Sequence, residues 1–250
     1  MKYMGSKARI AKNIGPIIQN AIDTSGTAVY IEPFCGGLNL TTQITASKMY
    51  MLDANKYLIS LWRYLQSGGQ LPQTVSREEY NACRKACKEG THEYPDWYIG
   101  CVGFLASYNG RWYDGGYAQA GYEQLKNGKQ RYRDYYIEAR TNVEEQWQQL
   151  KEKELTFTAC DYRTITPQNA VVYCDPPYKN TKGYANAKNF DHTLFWDTMR
   201  KWSTEGNNVV YISEQSAPND FKVVWQQEVC RSIKAQDKKK AVECLYTYEG

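Results

Sequence analysis

Short apolar runs punctuate this chain at intervals. Ala28-Val29-Tyr30-Ile31, Met49-Tyr50-Met51-Leu52, Leu155-Thr156-Phe157-Thr158, Ala170-Val171-Val172-Tyr173-Cys174 and Asn208-Val209-Val210-Tyr211-Ile212-Ser213 are rich in β-branched and aromatic residues. Runs of this kind, bounded by turn formers, predict strands buried on both faces. Segments with helical spacing lie between them. They run from Lys7 to about Ala21, from Leu38 to Ser47, from about Asn55 to Leu65 (closed by Gly68-Gly69) and from about Thr193 to Glu205. Near the end, Val223 to Val229 and Ala241 to Tyr248 alternate as a closing antiparallel pair should.

The middle of the chain breaks this rhythm. Helical stretches near Arg77 to Lys88 and Trp97 to Ser107 precede a loop, Tyr108-Asn109-Gly110-Arg111-Trp112-Tyr113-Asp114-Gly115-Gly116-Tyr117. Its Asn-Gly and Gly-Gly pairs form turns, so it reads as a hairpin or a mobile loop. A long polar helix, roughly Tyr135 to Lys153, brings the chain back. The pattern predicts an α/β fold with a doubly wound, Rossmann-like sheet built from residues 1–65 and 154–250. Residues 66–153 form an inserted, mainly helical subdomain.

Composition narrows the class. The chain has 250 residues, 42% hydrophobic and 23% charged, enough for one large core and unlike a disordered chain. No apolar run reaches the length of a membrane span, and no apolar segment follows the basic N-terminus, so a cytoplasmic protein is expected. Eight cysteines without a Cys-x-x-Cys pair, and histidine only at 92 and 192, point to no metal site. Cys83 and Cys87 share a helix face, but two ligands do not make a zinc centre.

A net charge of +4 neither requires nor excludes nucleic acid, so the distribution matters more. Lys126, Lys129, Arg131, Arg133 and Arg140 gather in one stretch, where a solvated helix face is the competing reading. Arg231, Lys234, Lys238, Lys239 and Lys240 gather in another, whose lysine run reads as a solvated loop.

The candidate chemistry sits at strand ends. Four predicted strands lead into an acid: Glu32, Asp53, Asp161 and Asp175. Ligands of open α/β sheets bind outside these carboxyl ends. The first loop, Glu32-Pro33-Phe34-Cys35-Gly36-Gly37, lacks both the dinucleotide and the phosphate-loop patterns. Its glycines still allow close backbone approach to a ligand, and Asp53 suits ribose hydroxyls. A nucleoside without phosphates fits, and S-adenosylmethionine is one.

Asp175-Pro176-Pro177-Tyr178 can hold a flat, amino-bearing base. The carboxylate accepts one N–H of the amine, the Pro176 carbonyl accepts the other, and the tyrosine ring stacks. A plain proline turn explains the tetrapeptide alone, but not its agreement with the other acids and the glycine pair. The absence of Pro-Cys argues against cytosine-C5 chemistry, which needs a covalent cysteine.

These motifs, in this order, resemble the Dam-like class of S-adenosylmethionine-dependent DNA adenine-N6 methyltransferases. The resemblance implies that Tyr3 and Lys7, in Tyr3-Met4-Gly5-Ser6-Lys7, line the methionine end of the cofactor. It implies that Glu32, Pro33, Phe34, Gly36 and Gly37 form the first cofactor motif, that Asp53 binds the ribose and that Asp161 contacts the cofactor's adenine. Asp175, Pro176, Pro177 and Tyr178 are the catalytic residues it implies. Leu38 departs from the family, many of whose members carry a small residue there.

The insertion takes the place of a target-recognition domain. A stacked adenine cannot reach such a pocket, so base flipping in double-stranded DNA is expected. Asn109, Arg111, Trp112 and Tyr113 are candidates to read or wedge the bases, and Lys126, Lys129, Arg131 and Arg133 to hold phosphates. Cytosine N4, adenine in RNA, or a non-catalytic DNA-binding regulator are the alternatives. A stand-alone modification enzyme, monomeric or weakly dimeric, is the expected form.

Overall fold

The computed structural model describes residues 1–3, 5–125, 127–178, 190–232 and 238–250, with backbone alone for 230–232 and 238–240. In chain order the main elements are α1 (Ala11–Ser25), β1 (Val29–Glu32), β2 (Lys48–Asp53), α2 (Lys56–Gln66), α3 (Arg77–Glu89) and α4 (Asp96–Leu105). Then follow β3 (Gly121–Gln124), β4 (Gln130–Arg133), α5 (Tyr135–Leu150), β5 (Leu155–Ala159), β6 (Ala170–Cys174), α6 (His192–Thr204), β7 (Val209–Glu214), β8 (Phe221–Ser232) and β9 (Lys238–Tyr248).

One sheet has the order β5-β2-β1-β6-β7-β9-β8. Its first five strands are parallel, while β9 pairs antiparallel with both β7 and β8. Alternation sorts the strand side chains onto two faces. Tyr30, Val171 and Tyr173 join the core built with α1, α2, α4 and α5; Ile31, Val172 and Cys174 join the core under α6. The parallel strands all finish at one edge, and the acids gather there.

Helix starts follow local chemistry. Asn55 caps α2 by accepting from Tyr57 and Leu58 N–H, and Ser76 with Glu79 forms a capping box on α3. Asp134 and Asp191 cap α5 and α6.

Two expectations fail here. No helix covers Leu38 to Ser47; a single 3₁₀ turn, Thr41–Gln43, stands in its place. Leu38 has φ 53° and Ile44 is extended, so the segment is irregular and packs buried Leu38, Leu40, Thr41 and Ile44. Its threonines, with the leucine and isoleucine anchors, favour this buried coil over a helix with a solvated face. The second concerns residues 108–117, which form no strand-paired hairpin. They fold into a compact turn held by the Ser107–Tyr117 bridge. The hairpin lies further on, as β3–β4, inside the basic stretch that a helix face could equally have explained.

The insertion shares its core with the sheet domain. Ile99, Val102, Phe104, Tyr136 and Val143 pack in the same cluster as Ile14, Met49 and Trp62. Gly100 makes this contact close: a Cβ there would lie 2.2 Å from the Tyr57 carbonyl oxygen on α2.

Candidate active site

Asp175 follows β6 directly. Lys7 Nζ lies 2.7 Å from its Oδ1, with Lys7 8% exposed. The same ammonium donates to the Gly5 carbonyl at 3.1 Å and sits 4.5 Å from the centre of the Tyr178 ring. One cation therefore touches both the carboxylate and the aromatic face of the tetrapeptide. Burial pushes the Asp175 carboxyl above its ordinary value, and Lys7 opposes that rise. Pro176 is buried beside them. The Tyr178 hydroxyl donates to Glu243 Oε2 at 2.6 Å.

The first loop is held from several sides. Cys35 N–H donates to the Leu52 carbonyl at the end of β2 at 2.8 Å, and the Trp62 indole donates to the Gly36 carbonyl at 3.1 Å. From α5, the Gln146 amide donates to the Gly37 and Leu38 carbonyls at 2.8 and 3.0 Å. Tyr3 lies against both glycines. At Gly36 (φ 47°) a Cβ would come within 3.0 Å of the tyrosine ring, and at Gly37 within 3.0 Å of its Cβ. Both glycines thus make room for Tyr3.

Asp53 bridges this loop to α2. Its Oδ2 accepts from Gly36 N–H at 3.2 Å and its Oδ1 from Asn55 N–H at 2.9 Å. Burial still raises its carboxyl to about 6. Glu32 is 2% exposed; its Oε1 accepts from the Tyr30 and Thr41 hydroxyls, both at 2.8 Å, and burial raises it to about 7. Pro33 is buried next to it. Among the described residues no cation pairs with Glu32 or Asp53. The edge therefore carries two carboxylates that lack a counter-charge, a setting suited to a positively charged ligand.

Asp161 stands apart from that group. Arg163 engages both its oxygens, at 2.8 and 2.6 Å, and holds the carboxyl below its ordinary value. Beside it Phe34 packs against Tyr162, Phe190 and Phe195, with ring centres 5.1, 6.1 and 5.9 Å away. The sequence reading named Phe34 but missed the other three rings.

The candidate DNA residues divide sharply. Asn109 and Arg111 are exposed. Tyr113 is not available as a wedge: it is buried, donates from its hydroxyl to the Ile99 carbonyl at 3.1 Å, and packs beside Tyr80. Trp112 is packed too, stacked on Tyr57 at 5.5 Å and against Phe104 at 4.6 Å. The apolar face of α4 recruits both rings inward, a preference that outweighs their place in a Gly-rich loop.

Arg133 is likewise committed. It forks onto Glu138 at 2.8 and 2.5 Å and reaches Glu123 at 3.1 Å. Lys129 and Arg131 are exposed, Arg131 approaching Glu138 at 3.6 Å. Lys126 lies outside the described residues, as does Met4. The hairpin offers two rings that sequence reading overlooked. Tyr122 and Tyr132 face each other across the strands, 74% and 58% exposed, with centres 5.3 Å apart. Alternation around the Asn127-Gly128 turn was the signal that could have found them.

No helix among the described residues is long and apolar enough to cross a membrane. Among the same residues no group of three or more His, Cys, Asp or Glu is arranged to hold a metal.

The α/β sheet has a reversed last strand, and Asp175, Lys7 and the Tyr178 ring meet at its edge; similarity to known proteins gives the class. The model of the D12 class N6 adenine-specific DNA methyltransferases matches residues 3–224, and the chain belongs to that family. It is 25% identical over 205 residues to the type II methyltransferase M.FokI of Planomicrobium okeanokoites. That match takes in 76% of this chain, which spans only 30% of the relative's length. Among solved structures, the rRNA methyltransferase aviRa of Streptomyces viridochromogenes is 10% identical with a TM-score of 0.42, covering 97% of this chain and 84% of that one.

Proposed function

We propose that this protein transfers a methyl group from S-adenosylmethionine to the N6 amine of an adenine extruded from double-stranded DNA. The observation that carries this reading is the seat of the Lys7 ammonium, 2.7 Å from Asp175 and 4.5 Å over the Tyr178 ring. A nitrogen donor already occupies the space between an acceptor and a stacking surface. An adenine amine entering there meets the same partners once Lys7 withdraws.

The chain's own residues suit each part of the task. Asp175 accepts one amine N–H and the Pro176 carbonyl the other, which favours a pyramidal nitrogen with its lone pair free. Tyr178 fixes the ring plane. Because the amine loses its proton only after methylation, Asp175 works by orientation more than by basicity. When bound, S-adenosylmethionine supplies the electrophilic methyl on a sulfonium. Glu32 and Asp53, without a protein counter-charge, fit such a cationic nucleoside, with Asp53 facing the ribose. Tyr3, Lys7, Pro33, Phe34, Gly36 and Gly37 surround the same edge. Asp161 contacts the adenine of the cofactor only if Arg163 yields one of its oxygens.

On the DNA side, Tyr122 and Tyr132 take the wedging role first expected of Trp112 and Tyr113. Lys129, Arg131 and Arg111 meet phosphates or base edges, with Asn109 beside them.

Expression in a methylation-free bacterial host, followed by modified-base sequencing, tests the proposal. N6-methyladenine in a defined motif, absent with the Asp175→Ala variant, is expected. N4-methylcytosine instead, or unmodified DNA, overturns it.

A further inference from the structure

Tyr178 ends the catalytic tetrapeptide, and its ring is held at two points. The Lys7 ammonium covers its face, and Glu243 accepts its hydroxyl proton at 2.6 Å. Glu243 lies 65 residues further along the chain.

Topology explains how so distant a residue reaches the site. The parallel strands end at the catalytic edge, whereas β9 runs the other way and enters the sheet there. Glu214, the last residue of β7, pairs with Cys244, so Glu243 sits one step outside the end of β7. Along β9, Cys244 and Tyr246 turn toward the core under α6. Alternation puts Glu243 on the opposite face with Leu245, the face that also carries Tyr173. A carboxylate half-buried at that position needs a donor, and the Tyr178 hydroxyl is one.

We infer that Glu243 is a positioning residue: its bond to the Tyr178 hydroxyl anchors the end of the side chain and, because a phenol O–H lies in the ring plane, favours the ring orientation in which the face now covered by Lys7 is presented to the incoming base. The inference rests on the methyl-transfer reading above, because it concerns the surface on which that base would stack. A tyrosine ring free to turn about its side-chain bonds would offer the base an edge as often as a face. A carboxylate at the hydroxyl restricts that freedom before DNA arrives.

The test follows labelled methyl transfer from S-adenosylmethionine to DNA from a methylation-free host, for Glu243→Ala, Glu243→Gln, Tyr178→Phe and the Tyr178→Phe/Glu243→Ala pair. Glu243→Ala is expected to lower kcat about 10- to 100-fold, with cofactor affinity and melting temperature little changed. Glu243→Gln, whose amide oxygen still accepts from the hydroxyl, is expected to restore most of the rate. In the Tyr178→Phe background, where no hydroxyl remains, losing Glu243 should lower the rate no further. An equal loss in both backgrounds overturns the inference, as does an alanine variant that matches the parent. Glu243→Met keeps the side-chain volume and carries the same expectation if the alanine variant does not fold. A parent protein that labels no DNA fails at the methyl-transfer reading itself. An active parent with an indifferent Glu243 loses only the positioning role.

Discussion

The sheet edge and the β3–β4 hairpin solve opposite problems. At the edge, acids are buried, loop carbonyls are satisfied by Trp62 and Gln146, and Lys7 is clamped between Asp175 and Tyr178. On the hairpin, Tyr122 and Tyr132 stand in solvent beside exposed Lys129 and Arg131. A reacting atom needs a preorganised, dry setting in which electrostatics are strong. In the proposed function, a duplex needs a surface that projects and can be reached. The Arg133 fork onto Glu138 and Glu123 joins the two, since it ties the exposed arm to the first turn of α5. The same helix supports the glycine loop through Gln146.

That contrast predicts different penalties. The largest falls on Asp175. Asp175→Asn should lose about 10³-fold in labelled methyl transfer, in line with removing a preorganised partner of the reacting group, while cofactor binding persists. A variant within tenfold of the parent would show that the edge is not where chemistry occurs.

Next comes the hairpin. Tyr122→Ala with Tyr132→Ala should lower kcat/KM for DNA about 100-fold, as two stacking contacts imply. Melting temperature and calorimetric cofactor affinity should stay level, because exposed rings contribute little to folding. A falling melting temperature would mean the rings hold the insertion together instead.

Glu32 gives a pH signature confined to the edge. Its carboxyl is raised from 4.5 to about 7, so the folded protein binds more protons than the unfolded chain across that interval. Stability from this group therefore falls as pH rises from about 5 to about 7. Glu32→Gln keeps an acceptor for Tyr30 and Thr41 and removes the charge. It should stabilise the protein by roughly 1–2 kcal/mol at pH 8 and hardly at all at pH 4.5, read from denaturant melts. Affinity for the cationic cofactor should drop at the same time.

The smallest effect separates the basic residues of the hairpin. Lys129→Ala and Arg131→Ala should each reduce the slope of log affinity against log salt by about 1. Arg133→Ala should leave that slope nearly unchanged and loosen the hairpin, because its guanidinium is already engaged by Glu138 and Glu123.

The parallel strands, the order of the acids at their ends and the turn at Asp175–Tyr178 were all readable because each depends on local pattern. Val171 to Cys174 cannot face water on either side, and Asp175 must follow where the strand stops. Residues 38–47 were misread because apolar spacing over so short a stretch fits a helix and a buried coil equally well. Positive φ at Leu38 decides against the helix, and no composition rule announces that. Tyr113 and Trp112 went inward for a similar reason. Their Gly-rich loop suited base contacts or packing on the insertion alike, and Gly103 of α4 decides for packing, since a Cβ there would lie 2.4 Å from the Trp112 ring and 2.8 Å from that of Tyr113.

The sequence by itself determined the strands of the sheet, the acids at their ends and the place of the Asp175–Tyr178 turn after β6, since strand periodicity and turn chemistry act over neighbouring residues. Tertiary structure decided the distant partners. It set Lys7 on Asp175 and Glu243 on Tyr178, whereas Arg163 meets Asp161 two residues away and Arg133 meets Glu138 five residues away. Each of these pairings engages a residue that the sequence had offered to a ligand: Asp175, Tyr178, Asp161 and Arg133. Long side chains choose partners by distance in the folded chain, and an antiparallel strand can bring position 243 to an edge that position 175 reaches from the other direction.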